Sequence, residues 1–464
     1  MTAAALFAAL LFYAVLTLWV PGRWAWSLFQ VGVFLLAGWR LRRARSIRPA
    51  PAAATLAVAA LWPLAQVAAG RSVNRGETWM AALDWATFLV VFLLAADILS
   101  GRRERHWFLG AISFGGMIVA AAAVLQDYSS AGKIFWHFPS GYTEGVLGPF
   151  VNRNQYAAWV ELLLPAALYL AATARRRALY GVAAAILLGS VIAGASRAGS
   201  ALAVGEVLAV AVALAARHAN PRRAVALWTA QFACFAAIAI AVVGWQGLRD
   251  RLGAPGTEVL RMDAVRASAA MIRDRPWIGS GLGTWARMYP RYAGLDTGVA
   301  VNQAHNDWAQ WAAEGGLPFL MAMVVFAGLL CKPAFRSIYG LGVAAVLLHA
   351  LVDYPMQQRP ALAAWWFAMA GAVWAANGAY DDVLRRTGRT RRGVARGDPP
   401  GLQAAGPAAP SGPLYRPGDA RAGGVADAAA ERNSGIAEPP RRARELRPLA
   451  GGGLPGPAGP RGSP

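Results

Sequence analysis

The side chain best suited to acid–base chemistry stands where a long apolar run begins. His305 lies in the segment Ala304-His305-Asn306-Asp307, directly before an apolar run that starts near residue 308. Because imidazole titrates near neutrality, a histidine at this edge can take a proton from an attacking hydroxyl. The alternative is a histidine that makes one structural hydrogen bond. His305 is therefore a candidate general base.

Arginine is the second residue type that indicates chemistry, because its guanidinium binds phosphate through two parallel hydrogen bonds. Arg197 occupies a short turn of small residues between two apolar runs, where a ligand headgroup can approach closely. The alternative for Arg197 is contact with the phosphates of surrounding lipid. Arg261 and Arg266 have helical spacing, and Arg275 ends that segment before Pro276 and three glycines. Those glycines lack the strand and the βαβ unit of a nucleotide-binding turn.

Two further polar groups stand at the ends of apolar runs. Asn152-Arg153-Asn154 opens one run, and a helix N-terminus offers free amides and a positive dipole end to a phosphate. Asparagine is also an ordinary helix cap, which is the alternative interpretation. His349 and Asp353 lie one helical turn apart near the end of another run. They can orient a catalytic group from behind, or bond to each other.

Two acids are expected inside the protein. Glu161 lies seven residues after Asn154, about two turns deeper on the same helix face, and an acid at that depth should face the bundle interior. Glu314 lies nine residues after His305, about 180° around a helix, so it should point to another face. We interpret Glu314 and the two glycines after it as packing elements.

Long apolar runs must position these groups. The 464-residue chain is 57% hydrophobic with a mean hydropathy of +0.38, and runs of about 18 to 22 residues can cross a hydrocarbon core. Backbone groups inside lipid must pair within their own segment, which predicts helices and disfavours a β-barrel here because long period-two alternation is missing. We predict an all-α polytopic membrane protein with about twelve spans, near residues 3–20, 24–40, 51–69, 79–99, 107–126, 155–173, 180–195, 199–216, 225–246, 308–330, 337–354 and 361–378.

The arginine clusters predict an orientation in the bacterial inner membrane. They lie in alternate short connections, which the positive-inside rule makes cytoplasmic: Arg40 to Arg43, Arg102-Arg103, Arg175 to Arg177, Arg222-Arg223, and Lys332 with Arg336. With twelve spans, both termini are then cytoplasmic. The candidate site, including a large loop from 247 to 306, faces the periplasm.

Charge distribution explains the net charge of +21 without nucleic acid. Basic residues sit in short clusters between apolar runs and in the tail, as membrane topology requires. The loop 247–306 carries eight arginines and five acids, which an anionic ligand or anionic lipid headgroups would explain. Residues 1–380 form the predicted membrane domain, and the Pro-, Gly- and Arg-rich residues 381–464 form a predicted disordered cytoplasmic tail near the inner leaflet.

Metal and disulfide chemistry are not expected. The two cysteines, Cys234 and Cys331, lie in or beside apolar runs, which disfavours a disulfide framework. The sequence shows no cluster of carboxylates suited to Mg²⁺. We therefore predict no cofactor and metal-independent chemistry.

Taken in order, these residues resemble the O-antigen ligase and O-antigen polymerase superfamily over roughly residues 140 to 375. The matching pieces are Asn152-Arg153-Asn154, Ser196-Arg197, Arg261, the stretch Arg275 to Gly281, His305-Asn306 with Glu314-Gly315, and His349 with Asp353.

The resemblance implies glycan transfer at the outer face of the inner membrane. The donor would be an oligosaccharide or polysaccharide on undecaprenyl pyrophosphate, and the acceptor a hydroxyl of lipid A–core. His305 would be the general base or acceptor-orienting residue, and Arg197 and Arg261 would bind the pyrophosphate, with Arg266, Arg273 and Arg275 as substitutes for Arg261. Arg153, Asn154, Asn306, His349 and Asp353 would support substrate binding. The alternatives are a polysaccharide polymerase, a protein O-oligosaccharyltransferase and, from another class, a transporter.

Overall fold

The protein is described here from a computed structural model. The structure describes residues 1–43, 51–143, 145–215, 258–295, 298, 300–357 and 360–394, with residues 230 and 237, and its side chains as far as 378. Helices dominate this part of the chain, as predicted. The predicted span at 225–246 lies outside the described residues apart from those two positions.

The helices follow the apolar runs closely. They are α1 Thr2–Leu16, α2 Trp24–Arg43, α3 Pro51–Ala68, α4 Arg75–Ile98, α5 Arg102–Ser129, α6 Arg153–Thr173, α7 Arg177–Ala193, α8 Arg197–Ala215, α9 Glu258–Asp274, α10 Trp285–Tyr292, α11 Asp307–Arg336, α12 Leu341–His349 and α13 Pro360–Val394, with a 3₁₀ turn at Ile338–Gly340. A two-stranded hairpin pairs β1 Lys133–Ile134 antiparallel with β2 Phe138–Pro139.

Six of the described helices are long and apolar enough to cross a membrane: α3, α4, α5, α6, α8 and α11. Helices α1 and α7 and the segment Ile338–His349 are apolar but shorter. The chain is thus an integral membrane protein of mostly helical architecture. The count of twelve spans and the placement of the termini stay predictions.

The boundary predicted for the disordered tail differs from the structure. Helix α13 continues to Val394, beyond the predicted start of the tail at residue 381. Residues 379–387 contain no proline or glycine, so nothing in that stretch stops helix propagation. Most of the predicted tail, residues 395–464, lies outside the described residues.

Helix α6 is the centre of the bundle. Sixteen of its residues are buried, and it packs against α5, α7, α8 and α12. Since lipid can cover apolar faces as well as another helix does, it is this packing, and not apolar composition alone, that places α6 in the interior. Its first turn therefore projects from the middle of the bundle, which is where the polar residues gather.

The predicted large loop contains two helices that pack on one another. Trp285 of α10 is fully buried against α9, where its indole N–H donates to Ser268 Oγ at 2.9 Å. Tyr289 donates its hydroxyl to Asp263 Oδ2 at 2.7 Å. These contacts, with the small apolar cluster around Met271, give α9 a defined place beside α11.

A break in α11 anchors this helical pair to the bundle. Gly316 has φ 74°, and a Cβ there would lie 2.6 Å from the Trp277 carbonyl oxygen. Glu314 accepts from the backbone N–H groups of Gly283 and Trp285 at 2.9 and 2.8 Å. Only glycine permits the required backbone approach at Gly316. The packing role predicted for Glu314 and its glycines agrees with this geometry.

Candidate functional site

Asp353 is the point at which the predicted site residues meet. Helix α12 ends at His349, so Asp353 lies in the connection beyond the helix. Its side chain is 5% exposed, with Oδ1 3.5 Å from His305 Nδ1 and Oδ2 3.8 Å from Arg261 Nη2. Oδ2 also accepts from the amide of Asn154. One buried carboxylate thus joins α6, α9 and the start of α11.

His305 is held in a conformation that most residues avoid. Its φ is 53°, in the left-handed region where a non-glycine residue is strained. The next residue, Asn306, caps α11 by accepting the Ala309 N–H at 2.9 Å and donates its amide to the Leu351 carbonyl at 2.9 Å. The His305 ring packs edge-on against Tyr354, with ring centroids 4.6 Å apart. These contacts direct a partly exposed imidazole at Asp353.

Asn306 therefore has a different immediate role from the one the resemblance implied. Both ends of its amide bond to the protein backbone, so its described contacts position His305. Substrate binding by Asn306 stays a prediction.

The start of α6 supplies the opposite wall. Asn152 caps the helix by accepting the Asn154 N–H at 2.8 Å and donates to Tyr354 Oη at 3.2 Å. Asn154 accepts the Ser196 hydroxyl at 2.8 Å. The capping interpretation thus holds for Asn152, while the side chain of Asn154 links α6, α8 and Asp353. Arg153 is exposed at the first residue of α6.

Arg197 pairs with a residue of α9, one helical turn before Arg261. Arg197, at the first residue of α8, donates to Glu258 Oε1 at 3.1 Å. Glu258 lies three residues before Arg261 on α9, and residues three apart are neighbours on a helix surface. Arg261 contacts the Val352 carbonyl at 3.5 Å as well as Asp353. Arg261 thus borders the carboxylate directly, whereas Arg197 contacts α9 at Glu258.

The loop arginines predicted as substitutes for Arg261 lie farther along α9 or just beyond its end: they are Arg266, Arg273 and Arg275. Arg266 is exposed and lines a groove with Met262, Tyr292 and Leu295. Arg275 is fourteen residues from Arg261, which corresponds to roughly 21 Å along the axis of α9. The structure thus does not bring Arg275 to Asp353. This distance argues against the prediction that Arg275 can substitute for Arg261.

His349 lies behind the site. Its side chain is 1% exposed, and Nδ1 is 2.8 Å from Glu161 Oε1. The imidazole thus pairs with the buried acid of α6 and not with Asp353, because α6 packs against the inner face of α12. The resemblance grouped His349 with the substrate-binding residues, but so deeply buried a side chain cannot contact substrate directly. Its position agrees with the alternative prediction that it supports the site from behind. Glu161 is fully buried, as expected for its depth.

The charges around Asp353 keep it ionised. Burial raises the pKa of this carboxyl, but the adjacent His305 side chain and the charges of Arg261 and His349 outweigh burial, so its pKa lies below the ordinary value of 3.8. A buried carboxylate with two basic neighbours can hold an imidazole in place and stabilise its protonated form.

Two residues that contact the predicted site residues were not predicted from the sequence. Tyr354 packs on His305 and adjoins Asp353, and Glu258 bonds to Arg197. Tyr354 directly follows Asp353 and Glu258 lies one turn before Arg261, so proximity in sequence was the available signal. Among the described residues, no group of three or more histidine, cysteine, aspartate or glutamate side chains is arranged to hold a metal ion. Metal independence stays a prediction.

Comparison with known proteins gives one match. A family model described as O-antigen ligase matches residues 182–324, less than a third of the chain. The matched region contains Arg197, Arg261 and His305, whereas Asn154 and Asp353 lie on either side of it. No curated protein matches the sequence.

Proposed function

We propose that this chain, whose residues 182–324 match a family model described as O-antigen ligase, transfers an oligosaccharide or polysaccharide from undecaprenyl pyrophosphate to an acceptor hydroxyl. The family supports a membrane glycan-processing function of the ligase or polymerase type. The observation that carries the finer proposal is the convergence of His305, Arg261 and Asn154 on Asp353. The proposed acceptor is lipid A–core.

The proposed reaction is a single displacement. His305 takes the proton of the acceptor hydroxyl, and the oxygen attacks the anomeric carbon of the donor sugar. The bond from that carbon to the phosphate oxygen breaks, and its electron pair leaves with undecaprenyl pyrophosphate. Because Nδ1 of His305 faces Asp353, Nε2 is the nitrogen that accepts the proton. A single displacement inverts the anomeric configuration.

Arginine would take the place of a metal ion at the leaving group. Pyrophosphate departs readily when its charge is neutralised by fixed cations. Arg261 is partly buried beside the carboxylate, whereas Arg197 and Glu258 form an exposed pair with side chains 47% and 75% accessible. Exposed pairs contribute little stability, so loss of the contact with Glu258 would oppose phosphate binding by Arg197 only weakly.

The proposal includes a place in the cell. The site faces the periplasm of a bacterial inner membrane, with both termini in the cytoplasm, because the arginine clusters lie in the alternate connections. The partners are the lipid-linked donor, the glycan acceptor and membrane lipids, without nucleic acid.

Reconstituted protein tests this function. Wild-type protein supplied with a defined undecaprenyl-pyrophosphate glycan and lipid A–core should yield a product whose mass is that of the acceptor plus the glycan. His305→Ala should reduce transfer strongly, since general base catalysis contributes about 10² to 10⁴-fold. His106→Ala, at an exposed histidine of α5, is the matched control. No product from wild-type protein, or full transfer by His305→Ala, would refute the proposal.

The related activities have their own signatures. If the gene encodes a ligase, its deletion leaves long polymer on the undecaprenyl carrier. If it encodes a polymerase, deletion leaves single repeat units on the carrier. A protein O-oligosaccharyltransferase would glycosylate polypeptide acceptors in the reconstituted assay. A transporter would move substrate across vesicles without forming a glycosidic bond.

A further inference from the structure

A second polar groove lies at the far end of α9. It is formed by the connection between α3 and α4, residues 70–73, and by residues 274–279 after α9, and it encloses about 580 Å³. Arg71, Arg275 and Trp277 line it. Of these, Arg275 was a predicted site residue, as a substitute for Arg261 at the pyrophosphate, and Trp277 belongs to the stretch Arg275 to Gly281 that carries the resemblance.

Both walls of this groove are held rigidly. The Val73 N–H donates to the Ser280 carbonyl at 2.9 Å, which ties one wall to the other. The Leu317 N–H donates to the Pro276 carbonyl at 2.7 Å, and the Gln66 side chain donates to the Ile278 carbonyl at 2.5 Å. The backbone beside Trp277 also rests on Gly316. The groove is therefore a built feature of the fold.

Trp277 presents its side chain from this rigid backbone. The residue is 70% exposed, although its carbonyl is packed against α11. A large aromatic side chain fixed at its backbone and open to solvent offers binding area at low entropic cost. The face of an indole suits the apolar C–H face of a sugar ring.

Arginines outnumber acids around the groove, which Arg71 and Arg275 line together with one acid, Asp274. Arg75 adds a third guanidinium, with Nη2 3.9 Å from the Cβ position of Gly70 in the groove wall. Within the described ranges, no carboxylate lies at ion-pair distance from Arg71, Arg75 or Arg275. The nearby Asp274 instead accepts the hydroxyl of Tyr292 at 2.7 Å. Clustered guanidinium groups without protein partners favour an anionic ligand.

The distance between the groove and Asp353 limits which ligand can occupy the groove. Arg275 and Arg261 are roughly 21 Å apart along α9, so one pyrophosphate cannot bind both. An oligosaccharide of several sugars can reach from the reacting hydroxyl to the groove, whereas one sugar cannot. The groove volume lies within the usual range for ligand sites, about 300 to 1,000 Å³.

We propose that the groove lined by Arg71, Arg275 and Trp277 binds an anionic, phosphate-bearing part of the glycan acceptor, with the indole against a sugar ring. This proposal rests on the proposed transfer function, which it deepens by naming the chemistry of the acceptor. Lipid headgroups carry the same phosphate chemistry. A rigid concave groove fits a saccharide better, since interfacial anchoring to lipid requires only an exposed side chain.

Direct binding tests the groove without catalysis. The probe is a soluble oligosaccharide bearing phosphate monoesters, titrated into purified full-length protein in uncharged detergent, beside the same oligosaccharide after phosphatase treatment. The double variant Arg71→Ala/Arg275→Ala should bind the phosphorylated probe roughly tenfold or more weakly and lose the preference for phosphate. Trp277→Ala should weaken binding of both probes. Arg273→Ala, an exposed arginine of α9 outside the groove, is the matched control.

Kinetics and lipid composition separate the remaining outcomes. In the transfer assay, the double variant should raise the acceptor KM and leave kcat and the donor KM unchanged. Equal binding by the double variant and Arg273→Ala would overturn the groove proposal, even with active wild-type protein. Probe binding without transfer by wild-type protein would instead refute the proposed function alone. A defect seen only in bilayers containing anionic lipid would identify a headgroup as the ligand and overturn the acceptor site.

Discussion

Replacing Asp353 by asparagine should disable transfer while leaving the site assembled. The carboxylate accepts from two donors, the Tyr354 N–H at 3.0 Å through Oδ1 and the Asn154 amide through Oδ2. An asparagine has one oxygen, so one of the two donors must face an amide NH₂. Loss of one hydrogen bond to a charged acceptor costs about 1.5–3 kcal/mol.

The larger effect falls on the imidazolium that forms at His305 during proton transfer. A unit charge 3.5 Å from Nδ1 stabilises it by about 1 kcal/mol at the dielectric constant of water and about 5 kcal/mol at an effective value of 20. Since the His305 side chain is only 18% exposed, an intermediate loss of about 2–3 kcal/mol is expected. That loss corresponds to a fall in kcat of roughly 30- to 150-fold.

Donor binding should change much less. The Arg261 side chain is 37% exposed and its nearest nitrogen is 3.8 Å from Asp353, so this pair contributes little. Steady-state transfer by detergent-purified Asp353→Asn, at matched protein concentration, separates kcat from the donor KM.

A double variant separates hydrogen bonding from charge. In the variant that combines Asn154→Asp with Asp353→Asn, the new carboxylate at 154 accepts a hydrogen bond from the new amide at 353. It also keeps an oxygen that accepts the Ser196 hydroxyl. The negative charge, however, no longer lies beside His305. The thermal unfolding midpoint should recover and kcat should stay low. Recovery of kcat in the double variant, or a kcat of Asp353→Asn within threefold of wild type, would refute the reasoning.

Three further outcomes follow from the same structure. His349→Ala removes the partner of fully buried Glu161 and should lower the free energy of unfolding by about 3–5 kcal/mol, measured by thermal unfolding; an unchanged midpoint would contradict the pair. Gly279→Ala places a Cβ 2.2 Å from a backbone carbonyl at φ 72° and should lower the midpoint, whereas Gly141→Ala, at φ 81° with open space around it, should not match that loss. Because the pKa of Asp353 is lowered from 3.8, its stabilisation is fully present above that value and is lost as pH falls through the folded-state pKa. The difference in unfolding midpoint between wild type and Asp353→Asn should shrink as the pH falls below about 4; a difference that stays unchanged between pH 4 and pH 2 would contradict the depressed pKa.

Much of the local architecture could be predicted from the sequence. The apolar runs marked most described membrane helices to within about six residues at each end, because backbone groups in lipid must pair inside one segment. Helix α13, which continues to Val394, is the exception. The polar residues at run ends marked helix starts, and Asn152 and Asn306 indeed cap α6 and α11. The glycines after Pro276 marked a turn-rich segment, and Gly279, Gly281 and Gly283 all have positive φ.

Which polar residues would meet could be predicted only in part. The order of motifs grouped His305, Arg261 and Asp353 through resemblance, without geometry. It also grouped Arg275 with them, although the length of α9 separates Arg275 from Arg261. Helical spacing fixes positions along one helix, so this separation could have been calculated once α9 was recognised as continuous.

The pairings across helices were decided by tertiary structure alone. Asn154 and Asp353 are 199 residues apart in sequence, and Glu161 and His349 are 188 apart. Helical periodicity tells which residues share a face, but not which helix covers that face. In a membrane, lipid solvates apolar faces as well as another helix does, so close packing and specific polar contacts select the neighbours. The sequence by itself therefore determined helices, caps and candidate residues, and the packing of α6, α9, α11 and α12 determined that they form one site around Asp353.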